Sequence, residues 1–280
     1  MRLKRPCPTV GNMELRNRTC IVTGAASGIG RAGAIAFAAC GARVVAADRD
    51  AVGVAATVGS ITAQGGSAIA VTCDVSKESD IIAMVATGEA AFGPTDLVWS
   101  NAGIGFSGGV ETPDREWQMI WEINLMAHVW TARAVLPGMI ERGEGYLVST
   151  ASAAGLLSNI GTASYTVTKH AAVALAEWLA ITHGDQGIRV SCLCPQGVRT
   201  NMLRGMTDGD ASSAAASVTA SGDVLEPSVV AQCVIDAVRA ERFLILPHAE
   251  VLTFWQRKTT DIDRWLGGMR RLQAKVRSAR

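Results

Sequence analysis

Three residues between positions 152 and 169 have side chains and a spacing suited to proton transfer: Ser152, Tyr165 and Lys169. Tyr165 and Lys169 are four residues apart, so a helix would place both on one face, one turn from each other. Ser152 precedes the predicted helix and is able to hydrogen-bond the same substrate oxygen. The pattern predicts a site of general acid–base chemistry in which the tyrosine hydroxyl exchanges the proton.

The neighbouring lysine is expected to make this tyrosine more acidic. A tyrosine with its ordinary pKa of about 10 exchanges protons poorly at neutral pH. An ammonium about 4 Å away favours the phenolate by roughly 4 kcal/mol at an effective dielectric constant of about 20. That would lower the pKa of Tyr165 by up to roughly three units. The alternative is that the pair serves only surface packing. The second tyrosine, Tyr146, lies in the apolar run GYLVST, which predicts a buried strand.

A glycine-rich segment near the start of the chain has the context of a phosphate-binding turn. The apolar strand CIVTG, residues 20–24, leads into TGAASGIG, with glycines at 24, 28 and 30, and a predicted helix follows. Glycine permits a tight turn and lets a phosphate approach the backbone, and the start of a helix offers free N–H groups. Because the motif lies between a strand and a helix, it predicts a pyrophosphate site rather than a turn that simply needs glycine.

Asp48 ends the second predicted strand, eighteen residues after Gly30. A carboxylate at this position accepts hydrogen bonds from an adenosine ribose, and it repels a 2′-phosphate, so it favours NAD over NADP as the bound cofactor. Arg49 follows directly and is able to pair with such a phosphate, which keeps NADP open as the alternative. The structural alternative is that Asp48 or Asp50 caps the next helix.

Two further polar groups follow predicted strands. Asp74 ends the run SAIAVTCD and suits either the adenine amino group or the start of the next helix, for which Ser76 and Ser79 are also available. Asn101 follows the run LVWS and is itself followed by Ala102 and Gly103, so a polar side chain lies beside flexible backbone. We expect both segments to lie where the sheet meets the cofactor.

A long helix is predicted over residues 117–140, and Asn124 lies within its apolar stretch WEINLMAHVW. Asparagine disfavours helix interiors and needs hydrogen-bond partners when it is buried. Asn124 is therefore interpreted either as a satisfied core amide or as a positioned group of the site.

Strands and helices alternate from residue 20 to residue 195. This alternation predicts an α/β fold, a single three-layer domain in which helices cover both faces of a doubly wound parallel sheet of about seven strands. Ligands of such folds bind beyond the carboxyl ends of the strands. The glycine loop, Asp48, Asp74, Asn101, Ser152 and the loop at 195–200 all follow predicted strands, so we expect them to meet at one edge of the sheet.

The sheet domain is expected to span residues 14–250. Residues 1–13 are basic and lack the apolar stretch of a secretory signal, so we predict a disordered tail. Residues 200–225 include the small polar run TDGDASSAAASVTASG and are interpreted as a substrate lid, with a plain loop as the alternative. Residues 251–280 predict a cationic helical extension that docks on its own domain or on a partner subunit. A membrane-surface helix is the less favoured reading.

The composition is that of a globular protein with a large core: 280 residues, 49% apolar and 18% charged. A net charge of +1 gives no reason to expect a nucleic-acid partner or an anionic membrane, and no apolar run is long enough for a transmembrane helix. The seven cysteines lack CxxC spacing, which is typical of reduced thiols and predicts a cytoplasmic protein without a metal site. Cys192 and Cys194 alternate in a predicted strand, and we place their side chains on opposite faces.

Taken together, the motifs TGAASGIG, CDV, NAG, YTVTK and PQGVRT, with Asp48, Asn124 and Ser152, resemble the short-chain dehydrogenases/reductases over roughly residues 14–250. The resemblance implies a Rossmann fold and a catalytic tetrad of Asn124, Ser152, Tyr165 and Lys169. Tyr165 would be the acid/base and Ser152 would hold the substrate oxygen. Lys169 would bind the nicotinamide ribose and lower the tyrosine pKa, and Asn124 would support a water relay to Lys169.

The resemblance also assigns the cofactor contacts. The pyrophosphate loop would comprise Thr23, Gly24, Ser27, Gly28, Ile29 and Gly30. The adenine pocket would comprise Asp74 and Val75, the cofactor floor Asn101, Ala102 and Gly103, and the carboxamide contacts Pro195, Val198 and Thr200. The family usually has glycine where Gln196 stands. Family members are typically tetramers or dimers that associate through two long helices, here about 117–140 and 162–183, so a homo-oligomer is implied.

These features predict an NAD-dependent oxidoreductase that interconverts a secondary alcohol and a ketone. The apolar residues Leu156, Leu157, Ile160, Met202 and Leu203 suggest a hydrophobic small-molecule substrate. An NADP-dependent carbonyl reductase and a non-catalytic nucleotide-sensing protein are the alternatives. Epimerisation or dehydration of a nucleotide sugar is disfavoured, because those relatives resemble a form with TGxxGxxG spacing, whereas this chain has TGxxxGxG.

Overall fold

A computed structural model describes residues 13–203 and 222–278 of the chain. Its centre is a seven-stranded parallel sheet in the order β3-β2-β1-β4-β5-β6-β7. The strands are β1 Thr19–Thr23, β2 Arg43–Asp48, β3 Ser67–Thr72, β4 Leu97–Ser100, β5 Gly145–Thr150, β6 Ile188–Leu193 and β7 Leu244–Ile245. The predicted α/β fold class, a doubly wound parallel sheet in a single domain, is confirmed. The strand order reverses between β1 and β4, which creates a crevice at their carboxyl ends.

Nine α-helices accompany the sheet within the described residues. They are α1 Gly28–Ala39, α2 Ala51–Thr62, α3 Glu78–Phe92, α4 Asp114–Trp121, α5 Ala127–Arg142, α6 Ala163–His183, α7 Pro227–Arg239, α8 Glu250–Thr260 and α9 Ile262–Ser278. A π-helical turn, Glu122–Met126, joins α4 to α5. The helix predicted at 117–140 is therefore a longer helical segment with one widened turn, and Asn124 is at the centre of that turn.

The sheet separates two hydrophobic layers because successive side chains of a strand point to opposite faces. In β1, Ile21 packs with residues of α3, α5 and α6, whereas Cys20 and Val22 pack with residues of α1, α2 and α7. The central strands are buried along their whole length, as expected for parallel strands covered on both faces.

The prediction for Cys192 and Cys194 is wrong, because residues two apart in a strand share a face. Their Sγ atoms are 3.8 Å apart, and both belong to the layer that contains α6.

Both ends of the chain pack onto the domain where they are described. Residues 1–12 of the predicted tail lie outside the described residues, while Met13 is buried in the layer that contains α1. The C-terminal extension forms α8 and α9, and Val251, Trp255 and Trp265 pack against the layer that contains α6. The extension therefore docks on its own domain. Of the predicted lid at 200–225, residues 204–221 lie outside the described residues.

Within residues 13–203 and 222–278, no helix combines the length and the apolar character needed to cross a membrane.

Candidate active site

A cavity of about 860 Å³ opens at the carboxyl ends of the strands, a size typical of small-molecule sites. Most of the predicted site residues line it: Gly24, Ser27, Gly28, Ile29, Asp48, Arg49, Asp74, Val75, Asn101, Ala102, Gly103, Ser152, Tyr165, Lys169, Pro195, Val198 and Thr200. Three predicted residues, Thr23, Gly30 and Asn124, do not line the cavity. Thr23 and Asn124 hydrogen-bond backbone segments that line it, and Gly30 packs directly against the Gly24 carbonyl.

Tyr165 and Lys169 lie on the first two turns of α6, as their spacing predicts. The Lys169 ammonium is 5.6 Å from the centroid of the Tyr165 ring. Lys169 is almost completely buried, and its Nζ donates a hydrogen bond to the Thr150 carbonyl over 2.8 Å. Tyr165 is partly exposed to the cavity. The phenol is therefore open to a ligand, while the amine lies behind it.

Ser152 follows β5 and caps a short 3₁₀ turn, Ala153–Gly155. Its hydroxyl accepts a hydrogen bond from the Ala154 N–H (3.1 Å) and donates to the Pro195 carbonyl (3.4 Å). These contacts fix the hydroxyl at the cavity wall, on the side of the cavity that Tyr165 also faces. The Ser152 hydroxyl is close enough to hydrogen-bond the Tyr165 phenol, so the two groups meet at one point of the cavity wall.

Burial governs the proton affinities of both groups on α6. Desolvation raises the pKa of Tyr165 above its ordinary value, although the neighbouring Ser152 hydroxyl lowers it in part. Desolvation also lowers the pKa of Lys169 to about 8. The expectation that the Lys169 ammonium makes Tyr165 more acidic is therefore wrong. The reason is that desolvation has the largest effect on the pKa of the phenol, and the Lys169 amine, 5.6 Å from the ring centroid, does not reverse it.

Asn124 is a buried amide with every polar group of its side chain paired. Its Oδ1 accepts from the Ile104 N–H, and its Nδ2 donates to the Ile104 carbonyl, both over 2.9 Å. Nδ2 also donates to Thr168 Oγ1 over 3.3 Å. A Cβ added to Gly103 would meet both Asn124 Oδ1 and Lys169 Nζ. Asn124 is thus a satisfied amide, and it also positions the loop after β4 against α6, so the two interpretations of this residue are compatible.

The glycine-rich turn brings the backbone close to neighbouring loops. Gly24 and Gly28 have φ values of +68° and +53°, which favour glycine. A Cβ at Gly30 would collide with the Gly24 carbonyl, and one at Gly28 would press on Thr200 at 3.0 Å. The first turn of α1 contains no acidic residue, and among the described residues Ser27 makes no side-chain cap. The N–H groups at the start of α1 are therefore available to an anion.

The sequence left open whether Asp48 or Asp50 caps the next helix, and the structure gives the cap to Asp50 and a place at the cavity to Asp48. Asp50 caps α2 by accepting from the Gly53 N–H over 3.0 Å. Asp48 accepts from the N–H groups of Ala26 and Asp50, both over 3.0 Å, so it holds the glycine-rich turn against β2. Asp48 still lines the cavity, and the exposed Arg49 lies beside it.

Asp74 turns its carboxylate toward the start of the following helix. Its Oδ1 accepts from the Ser76 N–H (3.1 Å) and the Ser76 hydroxyl (2.7 Å). Burial raises the pKa of Asp74, but the hydrogen bonds from Ser76 and the charges of Lys77 and Arg49 outweigh this, and the net result is a lowered pKa. Asp74 and Val75 also line the cavity, so the carboxylate is ionised beside the ligand space.

A polar network that the sequence analysis missed joins three strand ends. The Thr150 hydroxyl accepts from Trp99 Nε1 (2.8 Å) and donates to Asn101 Oδ1 (3.2 Å), while the Thr150 carbonyl accepts from Lys169. Asn101 in turn donates to the Thr23 carbonyl over 3.0 Å, and its N–H donates to Thr23 Oγ1. Thr150 ends β5 within the run GYLVST, and this position at a strand end is the signal that could have identified it.

His248 was also missed, and it supports the last loop of the site. Its Nδ1 accepts from the Gln196 N–H over 3.2 Å, so its Nε2 carries the proton and donates to the Gly197 carbonyl over 3.1 Å. The buried ring thus supplies hydrogen-bond partners to two backbone groups of a loop that is neither helix nor strand. It lies 52 residues beyond Gln196, so no local pattern links the two.

The apolar residues named from the sequence divide into two groups. Leu157, Met202 and Leu203 line the cavity. Leu156 is buried in the core instead, and Ile160 does not line the cavity. Further apolar lining comes from Ile104, Phe106, Phe254, Trp265, Met269 and Leu272. Among the described residues, no cluster of three His, Cys, Asp or Glu side chains suits a metal ion.

This combination of sheet order, glycine-rich turn and an acid after the second strand defines the class of dinucleotide-binding α/β proteins. Within that class, the family model described as short chain dehydrogenase matches residues 18–211. The chain belongs to the short-chain dehydrogenase family.

Relatives and a solved structure agree with this assignment. A 1-deoxy-11-beta-hydroxypentalenate dehydrogenase of Streptomyces exfoliatus is 35% identical, covering 85% of this chain and 86% of its own length. A 2,5-dichloro-2,5-cyclohexadiene-1,4-diol dehydrogenase of Sphingobium indicum is 39% identical, covering 71% of this chain and 79% of its own length. A short chain dehydrogenase/reductase from Burkholderia phymatum, solved in complex with NAD, is 31% identical with a TM-score of 0.82, covering 90% of this chain and 96% of that one.

Proposed function

We propose that this protein is an NAD-dependent oxidoreductase that interconverts a hydrophobic secondary alcohol and its ketone. The observation that carries the proposal is the convergence of the Tyr165 phenol and the Ser152 hydroxyl on one cavity, with the Lys169 amine buried behind them. Family membership and the names of the relatives, which are dehydrogenases of hydroxylated compounds, support the same reaction class.

The cavity fits a nicotinamide dinucleotide, which when bound would supply the hydride donor or acceptor. The free N–H groups of α1 suit its diphosphate, and the positive-φ glycines leave room for it. Asp48 suits the hydroxyls of the adenosine ribose, Asp74 and Val75 suit the adenine, and Lys169 suits the nicotinamide ribose. Pro195, Val198 and Thr200 suit the carboxamide. NAD is favoured because the Asp48 carboxylate would repel a 2′-phosphate; the adjacent Arg49 makes NADP the alternative.

Proton transfer would be carried by this chain's own groups. In ketone reduction Tyr165 donates its proton to the carbonyl oxygen, and in alcohol oxidation it accepts the hydroxyl proton. Ser152 donates a hydrogen bond to the same oxygen. The raised pKa of Tyr165 keeps the phenol protonated at neutral pH, which suits the role of proton donor.

A homo-oligomer, dimer or tetramer, is part of the proposal. The outer faces of α4 and α6 expose large apolar side chains, including Met119, Val167 and Trp178. A monomer gains nothing from exposing such residues on two adjacent helices, whereas association would bury them.

The function is tested with a panel of alcohols and ketones run in parallel with NAD and NADP, following the absorbance of the reduced nicotinamide.

Tyr165→Phe should lower kcat by about 10²–10⁴ and leave NADH affinity, measured by fluorescence titration, largely unchanged. Tyr146→Phe is the matched control, because this second tyrosine is buried in β5 against Ser191, and it should retain turnover. Undiminished turnover in Tyr165→Phe would refute the role of the phenol. Binding of NADH without turnover of any compound would favour a nucleotide sensor.

A further inference from the structure

We propose that the C-terminal helices form the outer wall of the substrate half of the cavity and restrict it to uncharged, apolar alcohols and ketones. The wall consists of Phe254 on α8 and of Trp265, Met269 and Leu272 on α9, and is called the C-terminal wall below. All four residues line the cavity. The inference rests on the proposed function, since it names the substrate class of that same site.

The C-terminal wall follows from the amphipathic pattern of α9. Trp265, Met269 and Leu272 are spaced by four and three residues, so they lie on one face of the helix. Leu266, next to Trp265, lies on another face and is 52% exposed. Four basic residues of α9, Arg264, Arg270, Arg271 and Lys275, are exposed and do not line the cavity. The helix therefore presents apolar side chains to the cavity and charges to solvent.

The C-terminal wall is attached to the elements that carry the catalytic groups. Lys258, on α8, donates from its Nζ to the Leu156 carbonyl over 2.7 Å, and the same Nζ is 3.5 Å from His170 Nε2. Leu156 follows the Ser152 turn, and His170 follows Lys169 on α6. Val251 at the start of α8 is fully buried. These contacts set the distance between the wall and the reacting groups.

Charge is distributed unequally along the cavity. Its acidic and guanidinium side chains, Asp48, Arg49, Asp50 and Asp74, lie at the ends of β2 and β3, toward the adenosine side. On the substrate side the described lining combines uncharged polar residues, such as Ser107, Ser158, Asn159 and Asn201, with Ile104, Phe106, Leu157, Met202, Leu203 and the C-terminal wall. Its single charged group is Lys169. Its Nζ is already paired with the Thr150 carbonyl.

A substrate that carries a carboxylate or phosphate near the C-terminal wall would lose its hydration there without gaining a charged partner from the described residues. An alicyclic or similarly bulky apolar alcohol would gain by burying its surface against Trp265, Met269 and Leu272. The geometry therefore selects substrates by the absence of charge as well as by their apolar bulk.

The test compares two probes of similar size, 4-methylcyclohexanol and 4-hydroxycyclohexanecarboxylate. They are assayed as substrates and as competitive inhibitors of the best alcohol found in the panel. The wild-type protein should prefer the methyl compound at least tenfold in kcat/KM or in inhibition constant. Leu272→Arg should shift this ratio at least tenfold toward the carboxylate. Leu266→Arg, which changes the same residue type on the exposed face of the same helix, should leave the ratio unchanged.

A second pair of variants and a binding measurement distinguish a failure of the C-terminal wall from a failure of the proposed function. Leu272→Ala, but not Leu266→Ala, should improve kcat/KM for a two-ring alcohol such as 2-decalol relative to cyclohexanol. Calorimetric titration of 2-decalone into the protein loaded with oxidised NAD, which has no hydride to transfer, should show at least tenfold weaker binding in Leu272→Arg, with NAD affinity unchanged in every variant. The proposal of a C-terminal wall would be overturned if substitutions at Leu266 and Leu272 changed the substrate ratio equally. A wild-type protein that prefers 4-hydroxycyclohexanecarboxylate to 4-methylcyclohexanol would overturn it as well. Wall-dependent binding of 2-decalone without turnover of any alcohol would instead overturn the proposed function alone.

Discussion

Lys169 holds its amine in a site with little solvent, where the Thr150 carbonyl is its hydrogen-bond acceptor at 2.8 Å. Within the described residues it forms no ion pair, so desolvation outweighs the opposing influence of Cys192 and Cys194, and its pKa falls from 10.5 to about 8. A decrease of this size corresponds to a folding cost of about 3 kcal/mol when the amine is charged. A residue to which the proposed function assigns a cofactor contact is therefore one that destabilises the fold.

The first prediction concerns the stability of a Lys169→Met variant. An unfolded lysine is protonated up to about pH 10.5, whereas the folded one loses its proton near its pKa of about 8. The wild-type protein should therefore gain stability as the pH rises between these values, because the unfolded state then binds more protons. Lys169→Met, which removes the charge but keeps an apolar chain, should be more stable than wild type at pH 7. That advantage should shrink toward pH 10.

Urea denaturation at several pH values measures this difference. Lys77→Met is the control, because Lys77 is an exposed lysine at the start of α3, and its effect should not follow the same pH dependence. An advantage of Lys169→Met that stays constant from pH 7 to 10, or that grows with pH, would contradict the argument. Loss of turnover in the stabilised variant would place Lys169 among residues kept for function at the expense of stability.

At the scale of elements, local sequence patterns predicted the secondary structure of each segment, but they could not predict the contacts between segments. The seven strands and the glycine-rich turn followed from apolar runs and glycine positions. The π-turn at Asn124 did not, because one extra residue in a helical turn barely disturbs the 3.6-residue period. The roles of Thr150 and His248 depend on partners brought together by strand order. In the same way, the pKa of Tyr165 could not be derived from spacing alone, because the burial of the phenol, which raises this pKa, depends on the tertiary fold.

Gly33 provides the prediction for the packing of α1 on the sheet. A Cβ at this position would collide with the ring of Trp99, which is fully buried in β4 and donates to Thr150. Gly33→Ala should therefore destabilise the protein by about 1–3 kcal/mol, the usual cost of overpacking. Because Trp99 supports Thr150 and through it Lys169, turnover should fall as well.

Gly59→Ala is the matched control for Gly33→Ala, and both are measured by urea denaturation. Gly59 lies inside α2, where an added Cβ would meet nothing within 4 Å. Alanine there should stabilise the protein by about 0.5–1 kcal/mol, because glycine loses more backbone freedom on folding. Opposite signs at the two positions would show that the Trp99 contact, and not helix propensity, fixes glycine at 33. Equal stabilisation at both positions would refute the proposed packing constraint.

At the scale of the whole molecule, two kinds of surface remain after the sheet has been covered. The C-terminal helices fold back onto their own domain and line the cavity, a destination that the sequence left open because docking depends on shape. The face formed by α4 and α6 has no such cover within the described residues. It exposes Val167 (46%), Trp178 (56%) and Ile181 (83%) on α6. These three are spaced by eleven and three residues, so they form one stripe along the helix.

The last prediction tests this stripe as the subunit interface. A stable interface buries about 800 Å² on each partner, and large central aromatic residues contribute most to its affinity. Trp178→Glu would place a carboxylate in the middle of the stripe, where association would strip its water. The variant should therefore elute as a smaller species than wild type in size-exclusion chromatography with light scattering.

Val52→Glu is the control, because Val52 is 81% exposed on α2, in the opposite helical layer, and the change should leave the mass unaltered. A wild-type protein that is monomeric at micromolar concentration, or a Trp178→Glu variant that keeps the wild-type mass, would show that this stripe is not the interface. Such a result would leave the site within one chain intact, because every residue that carries the acid–base argument lies in the same chain and none of them lies on the stripe.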